Sequence, residues 1–139
     1  MIKRKKPPNR ERKTPVAKLR KTLWREFAAA VRERDHHICV TCGSPATQAG
    51  HFFSRGIASL WVDPRNVHAQ CGRCNLFLHG NPGAYSKYIV DVYGVAELER
   101  LTKRASQVTK KWERFELEHL IRCLRDGGLL AYELAYYGD

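Results

Sequence analysis

Cys39, Cys42, Cys71 and Cys74 form two Cys-x-x-Cys pairs with 28 residues between them. Thiolates at that spacing turn toward one ion, and two such pairs make an all-sulfur tetrahedral site with no open position. That is the chemistry of a structural zinc. An iron–sulfur cluster or a redox dithiol is the alternative for the same residues; two matched pairs favour zinc. The loop between them exceeds the ~15–20 residues of a simple zinc ribbon, so it must hold a further element. It carries Gly50-His51-Phe52-Phe53, then Asp63, Asn66 and His68, and Asn75 follows the last cysteine directly. A lone histidine is more often a satisfied core residue than a catalytic one. Here a zinc closing both ends of the loop would bring His51 toward Asn75, which raises the catalytic reading. Cys123 sits in an apolar helical stretch and reads as a small buried side chain. His36 and His37 read as packing or solvent-facing, while His79 and His119 carry no clear signal.

The elements that must hold these residues are short in the middle of the chain and helical on either side. From Val16 to about Arg34, Leu19, Leu23, Phe27, Ala30 and Val31 recur at three- and four-residue steps, which predicts an amphipathic helix opened by Thr14-Pro15 with Thr14 as its cap. Strands are expected over Gln48–Phe53 and Val67–Gln70, and a short helix after Cys74 that ends near Gly80-Asn81-Pro82-Gly83. Helices follow over Ala84–Tyr93 and Val95–Ser106, broken at Gly94. Two more are expected over Val108–Arg125 and Leu129–Tyr136, broken at Gly127-Gly128. The fold class is therefore α+β and mainly helical: a disordered arm over residues 1–15, then a single domain over 16–139. Within that domain the helix occupies 16–35, the zinc-stapled core 36–82 and the helical region 83–139.

Charge is concentrated at the start of the chain. The 139 residues carry a net charge of +11. Lys3, Arg4, Lys5, Lys6, Arg10, Arg12, Lys13, Lys18, Arg20 and Lys21 face one acid, Glu11, within the first 21 residues, which leaves only +2 on the remainder. Such an arm suits a phosphate backbone, whose counterions it would displace. A solvated tail is the plainer reading of the same run. No apolar run approaches the ~20 residues of a membrane span, and the amino-terminal charges lack the apolar core of a secretory signal, so a cytoplasmic protein is expected. Cysteines in metal-binding pairs suit that reducing compartment. Leu129, Leu130, Tyr132, Leu134, Tyr136 and Tyr137 exceed what one terminal helix normally buries, which points to a partner surface and a homodimer.

Taken together, Cys39-x-x-Cys42, Gly50-His51-Phe52, Asp63-x-Arg65-Asn66-x-His68-x-Gln70-Cys71-x-x-Cys74-Asn75 and Gly80-Asn81 resemble the NinG/Rap family of phage recombination proteins. Leu23-Trp24-x-x-Phe27 and Arg32-x-Arg34-Asp35 extend the resemblance over roughly residues 20–90. The cysteine–histidine–asparagine order is also similar to the HNH, or ββα-metal, nucleases, including zinc-stapled phage resolvases of the endonuclease VII type.

That resemblance implies a ββα-metal core and a metal-dependent endonuclease acting on branched DNA such as Holliday junctions or D-loops. By position, it implies that His51 activates water, that Asn75 ligates Mg²⁺ or Mn²⁺, and that Asn66 ties the loop so that His51 points correctly. Arg55 or Arg65 would hold a phosphate oxygen, and the basic arm with Arg20 and Lys21 would follow the DNA backbone. One position departs from the endonuclease VII pattern, which has an aspartate before the histidine where this chain has Gly50. Gln48, Asp63, His68 and His79 are the candidates to replace it, with Asp63 the first choice as a hard anionic oxygen. Asp63 reads equally well as a turn residue before Pro64. A non-catalytic zinc module that binds branched DNA or a protein is the alternative, favoured by Gly50.

Overall fold

The computed structural model describes residues 13–138. Of the basic arm, the positions of Lys3, Arg4, Lys5, Lys6, Arg10 and Arg12 lie outside the described residues. Lys13 is exposed. The amphipathic stretch behind Pro15 forms helix α1 (Val16–Arg34). Pro15 rather than Thr14 is its cap residue, and no side chain caps it; the Thr14 carbonyl instead accepts a hydrogen bond from Arg114.

Helix α1 buries Leu23, Phe27 and Val31 against Leu117, Leu120, Ile121, Leu124 and Tyr132 of the terminal helix α4 (Arg114–Tyr137). Trp61, Val62 and Val67 complete this cluster from the segment between. Each large apolar side chain removed from water stabilises the fold by about 1.5–3 kcal/mol, so this helix pair is the main source of stability. Helix α4 begins at Arg114, later than the Val108 start that periodicity suggests. Glu113 and Glu116 form a reciprocal capping box there, and the Trp112 indole N–H donates to the Ala58 carbonyl at 2.9 Å, holding the preceding segment extended. The helix runs on through Gly127-Gly128 with a kink at Gly128, whose φ of 70° only glycine adopts without strain.

Strands β1 (Gln48–His51) and β2 (Val67–Gln70) pair antiparallel, with Gln48 opposite Gln70 and His51 opposite Val67. Strand β1 stops short of the expected Phe53. Asn66 is the reason: its carbonyl accepts from the Phe52 N–H at 2.9 Å and its side-chain oxygen from the Phe53 N–H at 2.8 Å. After the second cysteine pair the chain makes one π-helical turn, Arg73–Phe77, in place of a regular short helix. Helices α2 (Pro82–Tyr93) and α3 (Val95–Gln107) break at Gly94 and close a second cluster of Leu60, Tyr85, Ile89 and Leu101. No helix among the described residues is long and apolar enough to cross a membrane. Cys123, expected to be buried, is only half-buried, with its sulfur beside the His119 ring.

Asp63 belongs to this scaffold. It is fully buried, with one carboxylate oxygen on Arg100 at 3.0 Å and the other accepting from the Arg65 N–H at 2.9 Å and from the Tyr137 hydroxyl. Glu97 joins the network through Arg65 at 2.9 Å and Arg100 at 2.6 Å. Removing one member of a buried pair leaves the other charge uncompensated, which costs several kcal/mol. Asp63→Ala should therefore lower the urea-unfolding free energy by about 3 kcal/mol, somewhat discounted for the part-exposed Arg100. Zinc content of the folded fraction should stay unchanged. An unaltered unfolding midpoint would remove Asp63 from this structural role.

Candidate active site and metal centre

The four thiol sulfurs of Cys39, Cys42, Cys71 and Cys74 all lie within 4.8 Å of one another. Sulfurs at the vertices of a zinc tetrahedron stand about 3.8 Å apart, given a Zn–S bond of ~2.3 Å, and the Cys42 and Cys71 sulfurs are 3.6 Å apart. The cluster fits zinc. Its surroundings suit thiolates: the Cys74 N–H points at the Cys71 sulfur (3.4 Å), the Asn81 amide at the Cys74 sulfur (3.7 Å), and the Thr41 hydroxyl lies 3.2 Å from the Cys39 sulfur. The first pair leads toward β1 and the second follows β2, so the cluster holds the open ends of the hairpin.

His51 ends β1, and its ring Nε2 lies 2.8 Å from the Trp61 carbonyl oxygen. A carbonyl only accepts, so Nε2 carries the proton and donates. The lone pair is then on Nδ1, which makes no hydrogen bond to the described residues. The ring stacks on Trp24 of α1, with centroids 4.9 Å apart and planes 17° apart, and the Arg55 guanidinium lies 5.1 Å from the centre of the same indole. Burial, aided by the positive charge of Arg55, pushes the imidazole pKa down to about 4, against the weaker opposing pull of the Trp61 carbonyl. The ring is thus neutral at physiological pH, with one tautomer selected.

A cleft of about 440 Å³ opens beside it, lined by Trp24, His51, Ser54, Arg55, Asn75 and His79 among others. Asn75 sits in the π-helical turn, and its amide donates to the side-chain oxygen of Gln48 on β1 at 2.8 Å. The structure therefore brings His51, Asn75 and Arg55 to one cleft, with Gln48 behind Asn75. A second groove, of about 250 Å³, shares Arg55 and adds Arg20 and Lys21 from α1 with Trp61. Arg20 lies over the Trp61 ring at 4.3 Å.

Asn66 is buried and braces the segment after His51: its amide donates to the Phe53 carbonyl at 3.0 Å and the Leu60 carbonyl at 3.1 Å. Several expected positions lie elsewhere. Asp63, the first choice for the second ion ligand, does not line the cleft and has both oxygens committed to Arg65, Arg100 and Tyr137. Arg65 pairs with Glu97 and lies over Tyr93 and Tyr137, which commits it to the Asp63 network rather than the cleft. His68 is fully buried between the hydroxyls of Tyr85 (2.9 Å) and Tyr93 (2.8 Å). Because the Tyr85 hydroxyl donates to the Gly50 carbonyl at 2.7 Å, it accepts from His68 Nδ1, and Tyr93 donates to Nε2. His68 is a neutral core residue that steadies β1.

Trp24 also belongs to the site, although helical spacing marked it only as part of α1. It interrupts the apolar stripe by following Leu23 directly, the one signal that it serves a second surface. Among the described residues lining the cleft, the oxygen donors near His51 are neutral and none is a carboxylate. Asn75 is the one carboxamide among the described residues lining the cleft, and its oxygen is an acceptable ligand for a hard divalent ion.

The depressed His51 pKa has a consequence for stability. The folded state resists a proton that the unfolded chain accepts near 6.5, so the stabilisation is complete above 6.5 and is lost as pH falls from there toward 4. Between about pH 7 and 5 this histidine should account for about 2 kcal/mol of lost unfolding free energy. His51→Gln should flatten that part of the pH dependence in urea titrations of zinc-loaded protein. An identical slope in both proteins would contradict the buried neutral imidazole.

The model of the family described as bacteriophage lambda NinG protein matches residues 2–127 of this chain. Protein ninG of Salmonella phage P22 is 33% identical over 108 residues, covering 70% of this chain and 53% of that protein. Protein ninG of Escherichia phage 933W is 33% identical over 78 residues, and that of Escherichia phage lambda 32% over 78 residues, covering 52% of this chain and 39% and 38% of those proteins. The chain thus spans about half the length, or less, of the curated relatives it matches. No solved structure matches it. By the reach of the family match over the two cysteine pairs, His51 and Asn75 alike, the chain belongs to the phage NinG protein family.

Proposed function

We propose that this protein is a metal-dependent endonuclease that cuts branched DNA recombination intermediates such as Holliday junctions or D-loops. One observation carries the reading. His51 is held neutral, in a single tautomer with Nδ1 free of protein partners among the described residues, and it lines a cleft shared by Asn75 and Arg55. A buried imidazole whose proton is pinned by a backbone carbonyl has little structural use for its other nitrogen. A base for water does.

In this reading Nδ1 takes the proton from water as the oxygen attacks phosphorus. The Trp61 carbonyl stabilises the imidazolium that results, and Trp24 keeps the ring from rotating away. Arg55 binds a non-bridging phosphate oxygen as negative charge builds there. Asn75 would hold the divalent ion, Mg²⁺ or Mn²⁺, which supplies charge stabilisation to the phosphate and the departing 3′-oxygen. Asn66 acts at a distance by fixing the turn after His51. The zinc has no chemical part; it holds the strand that carries His51 beside the turn that carries Asn75. Arg20, Lys21 and Arg55 form a basic groove leading to the cleft, which supports DNA as the substrate. Leu130 and Leu134, both well exposed on α4, support association with a second copy across a symmetrical junction.

The lack of a carboxylate among the residues lining the cleft favours a second reading, a zinc module that binds branched DNA without cutting it. A panel of linear duplex, flap, three-way and four-way substrates with Mg²⁺ or Mn²⁺ separates the two. The nuclease should cut at least one branched form, and His51→Ala should slow it by at least about 10²-fold while leaving junction binding intact. Wild-type cutting rates in His51→Ala would sink the mechanism; tight binding without cleavage under any divalent ion would establish the binding module. The basic groove is tested separately. Lys21→Ala with Arg55→Ala should weaken junction binding at about 50 mM salt and reduce the salt slope by about 0.9 for each phosphate that is no longer neutralised. An unchanged slope would place the DNA on another face.

A further inference from the structure

Gly50 lies where the resemblance would place an acidic ion ligand, and a side chain from the neighbouring strand already occupies that space. A β-carbon built on Gly50 would sit 1.7 Å from Oε1 of Gln70 and 2.9 Å from Oδ1 of Asn75. Two carboxamide oxygens therefore converge on one point above Gly50, close enough together to share an ion with oxygen ligands at ~2.0–2.6 Å. Any side chain at position 50 would collide with Gln70. Glycine and glutamine are a matched pair.

Gln70 is fully buried on β2, and its orientation is fixed. Its amide nitrogen donates to the Gly80 carbonyl at 2.8 Å and to the Thr41 hydroxyl at 3.1 Å. Since a carbonyl cannot donate, the amide cannot be turned over, and Oε1 must face Gly50. That oxygen is the one buried side-chain polar atom among the described residues with no hydrogen-bond partner. Buried acceptors are almost always satisfied, so this oxygen is available to an ordered water or an ion. The Asn75 amide donates to the side-chain oxygen of Gln48, which leaves its own oxygen toward Gly50.

We propose that Gln70 Oε1 supplies the second protein oxygen to the divalent cation beside Asn75, in place of the acid that Gly50 excludes. The proposal rests on the nuclease reading for its purpose, not for its geometry. Both protein oxygens are neutral, so the ion arrives without compensating protein charge and binds the free protein weakly. A DNA phosphate brings that charge, and ion and DNA should tighten each other's binding reciprocally.

The test is Mn²⁺ binding to zinc-loaded full-length protein, followed by the EPR signal of free Mn²⁺ with zinc content and thermal melting measured on each sample. Wild type should bind one Mn²⁺ at millimolar concentration. Gln70→Leu should bind it at least about 10-fold more weakly. Gln70→Glu adds a charge toward the ion but gives up the donation to the Gly80 carbonyl, and should bind it at least about 10-fold more tightly in protein that zinc content and melting show to be folded. Gly50→Asp combined with Gln70→Ala should restore affinity at least to that of wild type. The gain in Gln70→Glu cannot come from a damaged fold, which covers the case in which Gln70→Leu loses zinc. Equal Mn²⁺ affinity in folded wild type, Gln70→Leu and Gln70→Glu overturns the proposal, as does a wild type that binds no Mn²⁺. Its failure is distinct from that of the nuclease reading. Cutting that depends on His51 alongside Gln70-independent ion binding sinks only this ligand, whereas Gln70-dependent binding without cutting sinks only the nuclease.

Discussion

The four-sulfur cluster is the constraint on which the site depends. Strands β1 and β2 contribute four residues each, and an isolated two-stranded pair of that length is at best marginally stable in water. The segment between them runs through Phe53, Asp63 and Asn66 with little regular structure, so its closure carries an entropic cost that the ladder alone does not offset. A metal joining Cys39 and Cys42 to Cys71 and Cys74 shortens the free loop to the residues between the pairs and fixes both ends. Once those ends are fixed, β1 must lie against the π-helical turn, and His51 and Asn75 are brought to one cleft.

The cluster sets position but not orientation. Orientation comes from backbone carbonyls outside the regular elements: Trp61 selects the tautomer of His51, and Gly80 selects the direction of the Gln70 amide. Both are fixed because a carbonyl has only one role in a hydrogen bond. The segment between the strands is held in turn by Asn66 at one end and by the Asp63 network at the other, where Arg100 and Tyr137 reach in from α3 and α4. The terminal helices thus belong to the site's support although no residue of theirs lines the cleft.

What could be read from the chain was whatever is encoded locally. The cysteine pairs, the position of His51 between them and Asn75 behind them depend on spacing of a few residues. Helices α1, α2 and α3 follow from periodicity and from Gly94. The turn role of Asp63 before Pro64 was legible and is seen in its bond from the Arg65 N–H. Its burial in an ion pair was not, because a carboxylate there has the same local appearance whether it binds an ion or an arginine. Its other partners lie 37 and 74 residues away. Arg65 was misplaced for the same reason, since Glu97 claims it. Trp24 was visible in the helix and in the Leu23-Trp24-x-x-Phe27 resemblance, but its place at the site was not, because its stacking on His51 depends on how α1 crosses the hairpin. Gln70 beside Cys71 looked like a strand residue; its significance appears only when Gly50 stands in the adjacent strand with no β-carbon to block it.

A glycine rather than an acid at position 50 bears on His51 as well as on the proposed ion site. A carboxylate next to His51 would favour the imidazolium and raise its pKa, whereas burial and Arg55 drive it down to about 4. A cleft lined by the Asn75 carboxamide, a neutral imidazole and an arginine carries no anion among its described residues, and it keeps His51 unprotonated well below neutrality. Such a cleft is poorly matched to free cations and well matched to a cation that arrives with a phosphodiester. In the nuclease we propose, selectivity for the loaded substrate would follow from charge balance: the protein would supply shape and neutral oxygens and the DNA the negative charge, with His51 held in one tautomer before either arrives.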